Sequence, residues 1–235
     1  MDTLKIKSNL EAFIRRHRRS FESLVARETA LLEMAALVMT SEHYRLVGYS
    51  IGIENDKRGF FSVKLSARGH PYNFSWFTCV RSDAAFEIHC NLAVGGAHGD
   101  GAVYVVDVAV VRSGIVPRAR NRRPWICVDN ADLVTFVEVK KLVVYPMLLA
   151  QFVGIVHEIK PAFLRDSSCG LEAYDHFYPS LLTLGYLKGT SSMILDGFIR
   201  RNYKICVVHN FETHLSSMRA GIATTSPFES RGNII

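Results

Sequence analysis

No apolar stretch of this 235-residue chain approaches the roughly 18 residues a membrane-crossing helix requires, and no secretory signal is recognised at its start. Cysteine is sparse and unpatterned. Cys79, Cys90, Cys127, Cys169 and Cys206 are scattered, lie mostly in apolar runs and contain no CxxC pair. Reduced, buried thiols in a cytoplasmic protein are therefore expected. Also missing are a GxxxxGK[ST] phosphate loop, a GxSxG elbow around Ser167-Ser168-Cys169-Gly170, internal repeats and low-complexity tracts. His157, His176, His209 and His214 have no nearby cysteine pair and no zinc-ligand spacing, and read as surface or core histidines. Acidic charge is the minority sign. Lys and Arg number 28 against 22 Asp and Glu, and the resulting +6 favours an anionic partner. A composition of 49% hydrophobic and 21% charged residues is that of a globular domain, and the length suits one α/β or α+β domain with a sizeable core.

What is present centres on Leu133 to Leu142, an apolar run that carries Glu138 and Lys140. Side chains alternate along a strand, so this spacing puts the acid and the amine on one face, about 7 Å apart. Burying an ion costs several kcal/mol unless it is paired, hydrogen-bonded or metal-bound. A second apolar run, Val103 to Val111, carries Asp107 alone among hydrophobic residues. Two neighbouring strands of this kind would gather an Asp, a Glu and a Lys, enough to hold a divalent cation and orient a water.

Around these runs the periodicity predicts a helix over 9–40, with Glu28 on its apolar stripe and Glu22 and Glu33 pointing away from it. Glu28 on an inward face needs a partner, and a core-edge Arg or Lys would serve. Arg15, Arg16, Arg18 and Arg19 make a basic cluster before it. Strands are expected at 44–53, 60–67, 73–80, 86–94 and 103–111, an early meander that forms an extra wing for dimerisation or substrate contact. In the Gly-rich turn 95–101, His98 and Asp100 are either polar turn tips or a secondary metal or proton-transfer pair. The 112–131 connection concentrates Arg118, Arg120, Arg122 and Arg123 before Trp125. It reads as a contact for a phosphate backbone, with arginine forks on phosphate and Trp125 on a base, or as a solvated basic loop over a core Trp125. Pro146 to Ile159 reads as a helix with proline in its first turn, and strand, helix and strand follow at 179–187, 191–201 and 203–209. Residues 1–212 then form one domain and 213–235 a loose tail or an arm that packs on a partner.

Asp107, followed by Glu138-Val139-Lys140 in apolar strands, resembles the PD-(D/E)xK nuclease superfamily, although Val106 stands where a proline often precedes the first acid. The likeness covers the order of elements over about residues 20 to 210 and few identities. It implies an α/β (α+β) restriction-endonuclease-like core: a central mixed sheet flanked by helices, here with an N-terminal helix and extra antiparallel strands. It also implies Mg²⁺ or Mn²⁺ held by Asp107, Glu138 and the carbonyl of Val139, Lys140 orienting water, and Glu28 completing the catalytic set. Gln151 sits where many members carry a polar residue, whereas Ile155 replaces the tyrosine of RecB-related members. A looser likeness, from the spacing of Asp107 to Glu138 and from Ile126-Cys-Val128, is to NucC-type effector nucleases, anti-phage enzymes activated by a cyclic nucleotide. The expected activity is metal-dependent hydrolysis of phosphodiester bonds, most simply a DNA endonuclease in restriction or anti-phage defence. Expected partners are nucleic acid, further copies of the chain, and a nucleotide activator or operon partner, with no membrane. The competing expectation is a catalytically inactive nucleic-acid-binding or scaffolding protein on the same fold.

Overall fold

A computed structural model describes residues 3–16, 28–116, 120–122, 125–165, 176–187, 189–211 and 219–220. Ten strands form one mixed sheet: β1 (Ser50–Glu54), β2 (Trp76–Arg81), β3 (Ala84–Gly95), β4 (Val103–Arg112), β5 (Arg120–Arg122), β6 (Trp125–Val128), β7 (Leu133–Lys140), β8 (Ser180–Thr183), β9 (Cys206–His209) and β10 (Arg219–Ala220). The helices are α1 (Thr3–Arg16), α2 (Glu28–Leu46), α3 (Pro146–Ile159), the short α4 (Ala162–Arg165) and α5 (Gly189–Arg200). Along the main path the strands run β1-β2-β3-β4-β7-β8-β9-β10. The β1 to β7 half is antiparallel, whereas β7, β8 and β9 are parallel because helical crossovers separate them. None of the described helices is long and apolar enough to cross a membrane.

Two apolar layers sandwich the sheet. Beneath one face Met34, Leu37 and Met39 of α2 pack with Val108, Val137, Val139 and Val208. On the other, Leu149, Phe152 and Val156 of α3 and Phe198 of α5 pack with Ala109, Phe136, Leu181 and Val207. The placement of α3 matches the sequence expectation residue for residue. Pro146 occupies the first turn, where its missing N–H costs nothing, and an apolar stripe follows.

Several expectations change. The single helix over 9–40 is instead α1 and α2, with 17–27 outside the described residues, and α2 continues to Leu46 where a strand was expected. Residues 60–67 are not a strand. Phe61 and Val63 do point into the core, but Lys64 beside them is buried too, and the segment is held by reciprocal bonds with Ser75 rather than by a ladder. The basic connection is not a plain loop: β5 pairs with β6, and β6 runs parallel to the far end of β3 at Ala93 and Val94. Most of the tail lies outside the described residues, while Arg219 and Ala220 pair with β9. Among the described residues Cys79, Cys90, Cys127 and Cys206 are buried, and burial pushes the Cys79 thiol up to about 12.

Candidate active site

A local break in the sheet makes room for charged groups. The β3–β4 ladder pairs Cys90 with Val108 and Leu92 with Val106, skipping Asn91 and Asp107 between them. Asn91 adopts a left-handed conformation, φ 49°, which a short polar side chain tolerates better than most. Across this point the strands turn over: Cys90 and Val108 belong to the α2 layer, Leu92 and Val106 to the α3 layer. On the other edge of β4, pairing with β7 stops at Val108↔Val137. Asp107 therefore lies where β4 parts from β7.

Its carboxylate fills the gap. Asp107 Oδ2 accepts the Val139 N–H at 2.7 Å, replacing the main-chain acceptor that the ladder no longer offers. The N–H and C=O of a strand residue point to the same side, so the Val139 carbonyl faces this gap too. Lys140 Nζ donates to Asp107 Oδ2 at 3.3 Å and to Glu138 Oε2 at 3.0 Å, so one ammonium ties both acids together. The expected convergence of Asp107, Glu138 and Lys140 is thus observed.

The electrostatics are asymmetric. Glu138 is 3% exposed, and burial together with the Asp107 charge pushes its carboxyl up to about 8 despite Lys140. Burial works against the Lys140 ammonium, but the two acids outweigh it and hold its pKa above the ordinary value. Glu138 Oε1 is buried with no hydrogen-bond partner. An orphaned carboxylate oxygen, a second acid within reach of the same ammonium and a backbone carbonyl form a hard-oxygen donor set. That set fits Mg²⁺ or Mn²⁺.

The site opens into a groove of about 330 Å³ between the sheet and α3, lined by Glu138, Lys140, Gln151, Ile155, Tyr104 and Glu158. Gln151 of α3 thus faces the same groove as Glu138 and Lys140. Two further groups went unrecognised in the sequence. Glu33 of α2 accepts from Asn91 Nδ2 at 2.8 Å, and burial, with Asp107 adding to it, raises its pKa. The sequence reading turned Glu33 away because it assumed one amphipathic stripe. In α2 nearly every position from Met34 to Tyr44 is buried, so the stripe carries no phase. The Glu28 side chain lies outside the described residues. It is five residues from Glu33, which is about 140° around the helix. Lys64, 3% exposed, donates to the carbonyls of Asn91 and Ser66 at 2.5 Å each, and burial lowers its pKa to about 8. It fixes the left-handed Asn91 backbone from behind.

Arg118 and Arg123, and the side chains of Arg120, Arg122 and Trp125, lie outside the described residues. The backbone of β5 stands three strands from β4 across β6 and β3. At roughly 4.8 Å per strand that is about 14 Å. Asp100 proves to be a turn tip, its Oδ1 accepting the Ala102 N–H at 2.9 Å.

No family model matches the chain, and no curated relative matches it. Among solved structures it is similar to NucC of P. aeruginosa in its cAAA-bound form, at 13% identity and a TM-score of 0.34. The match spans 52% of this chain and 56% of that one, so the chain covers little more than half of the neighbour's length.

Proposed function

We propose that this protein is a PD-(D/E)xK-type, metal-dependent nuclease that hydrolyses phosphodiester bonds in nucleic acid, DNA in the first place, and that it serves in restriction or anti-phage defence. The observation that carries the reading is the meeting of Asp107, Glu138 and Lys140 in a break of the sheet, with Glu138 Oε1 buried and unpaired beside them.

Asp107, Glu138 and the Val139 carbonyl would hold the ion, which supplies polarisation of the scissile phosphate and a lowered pKa for a bound water. Lys140 is cationic at neutral pH because its two acids keep it so, and it therefore acts as a positioner and a charge neutraliser rather than as a base. Glu33, with its raised proton affinity, is suited to take a proton through water. Gln151 lines the approach to the site. Arg118, Arg120, Arg122 and Arg123 would grip the phosphate backbone beside it.

The test is cleavage of supercoiled, linear and single-stranded substrates with Mg²⁺ or Mn²⁺, with and without candidate cyclic nucleotides. Asp107→Ala and Lys140→Ala should each lower the rate by at least about 10²-fold, and Glu33→Gln should lower it with the fold retained. Wild-type cleavage that survives both alanine substitutions would sink the site. Substrate binding without cleavage under every condition would instead favour an inactive scaffold, in which the Lys140 bridge is only a structural ion triad.

A further inference from the structure

The Gly-rich turn after β3 folds back onto the last turn of α3. The Ala97 N–H donates to the Glu158 carbonyl at 2.8 Å, and His98 Nε2 meets the His157 carbonyl at 3.2 Å. This contact joins residues that are far apart in sequence. His98 and His157 stack with ring centroids 5.0 Å apart, and the ligand-capable atoms of His98, His157 and Glu158 all lie within 4.8 Å of one another. His157 Nδ1 faces Glu158 Oε1 at 3.4 Å, and His98 Nε2 faces Glu158 Oε2 at 4.0 Å.

We propose that His98, His157 and Glu158 bind a zinc-like transition-metal ion, at a site separate from the oxygen-ligand site of Asp107 and Glu138. Two imidazoles and one carboxylate are a borderline-soft donor set suited to Zn²⁺, with a fourth position left to solvent. Donors about 2.0–2.1 Å from a tetrahedral ion stand about 3.4 Å apart, so side-chain shifts of about 1 Å close the present spacing. All three side chains are a third or more exposed, and such shifts are open to them.

Two features outside the ligand set favour a cation here. Tyr104 Oη donates to Glu158 Oε2 at 2.8 Å and fixes the carboxylate from behind, the role outer hydrogen bonds play around bound metals. His157 and Glu158 also sit in the final turn of α3, at the negative end of the helix dipole. Two contacts compete: the His98 Nε2 contact to the His157 carbonyl must open to free that nitrogen, and Arg165, exposed, places Nη2 against His157 Nε2. An ion on Nδ1 leaves the proton on Nε2, so Arg165 must swing away. Bound, the ion would staple the turn to α3 at the outer wall of the groove, where Tyr104 and Glu158 already stand.

The experiment uses the full chain, stripped with chelator and returned to excess Mg²⁺ so that the oxygen site does not compete. It is then titrated with Co²⁺ and displaced by Zn²⁺. Wild type should bind one ion per chain with visible ligand-field bands typical of nitrogen ligation at four or five coordination. His98→Ala and His157→Ala should each weaken binding at least about 10-fold and lose those bands, and Tyr104→Phe should weaken it about 10-fold. Arg165→Ala should tighten it. Asp107→Ala should bind the ion as wild type does, which separates this result from the fate of the nuclease reading. The proposal is overturned if wild type takes up no ion below about 100 μM, or if both histidine variants, shown folded by circular dichroism, bind as tightly as wild type.

Discussion

Glu138 concentrates the chemistry of the molecule in one carboxyl. Its ordinary value is near 4.5, and burial with the Asp107 charge pushes it up to about 8. Between those values the folded chain holds a proton that the unfolded chain has released. This group's contribution to stability therefore falls as pH rises through that window and levels off above it. At the proposed metal site a divalent ion would take the place of the proton, so its binding should strengthen over the same range. Thermal melts with and without Mg²⁺ should show a stabilising shift that is small at pH 6 and larger at pH 8. Glu138→Gln removes the charge and keeps the shape. It should flatten the metal-free pH dependence and abolish the Mg²⁺ shift. A shift of equal size at both pH values would show that Glu138 is not what the ion displaces. At this scale the ion pairing was legible in the sequence: two charges in strongly apolar runs had to be paired or to bind something. Glu33 was not legible, because α2 is buried nearly all round and offers no polar face against which to judge direction.

At the scale of elements, the segment after β7 is bound to the segment after β8. Val144 N–H donates to the Tyr186 carbonyl at 3.0 Å, Ser191 Oγ to the Val144 carbonyl at 2.9 Å, and Thr183 Oγ1 to the Leu142 carbonyl. This seam carries the chain from Lys140 into α3 and so sets the width of the groove. Gly185 lies against it, and a Cβ there would overlap the Leu142 carbonyl and Val143 Cα, which are backbone and cannot rotate aside. Gly185→Ala should cost roughly 1–3 kcal/mol. At about 2–4 °C per kcal/mol the loss should be plain in a thermal melt, and cleavage should fall with it as α3 shifts over the site. Melting and turnover unchanged from wild type would show that the seam yields. In β3, buried Glu87 accepts from Gly114 N–H at 2.9 Å and Ser113 Oγ at 3.2 Å, and so fixes where the basic connection leaves β4. Helix α3 was legible because proline, length and apolar spacing agree. Residues 60–67 were misread because alternation alone does not supply a partner strand.

For the whole molecule, the excess of six positive charges and the arginines of the β5–β6 ribbon predict that the proposed nucleic-acid binding is governed by released counterions. Replacing Arg120 and Arg122 together by alanine should reduce the slope of log K against log salt by about 1.8 on duplex DNA, with similar loss for every sequence tested. Fluorescence anisotropy across a salt series measures this. A slope that does not move would assign those arginines to solvent.

Helix α3, the apolar runs that become β4 and β7, the pairing of Glu138 with Lys140 on one face and the isolation of Asp107 follow from the sequence, because side-chain period and burial cost are local properties of a chain. Only the folded sheet decided where β4 leaves β7, that Asn91 turns both strands over, that Glu33 approaches from below, and that His98 comes to rest on His157. Each of these joins positions tens of residues apart, and the contact exists only once layers have packed and a ladder has somewhere to stop.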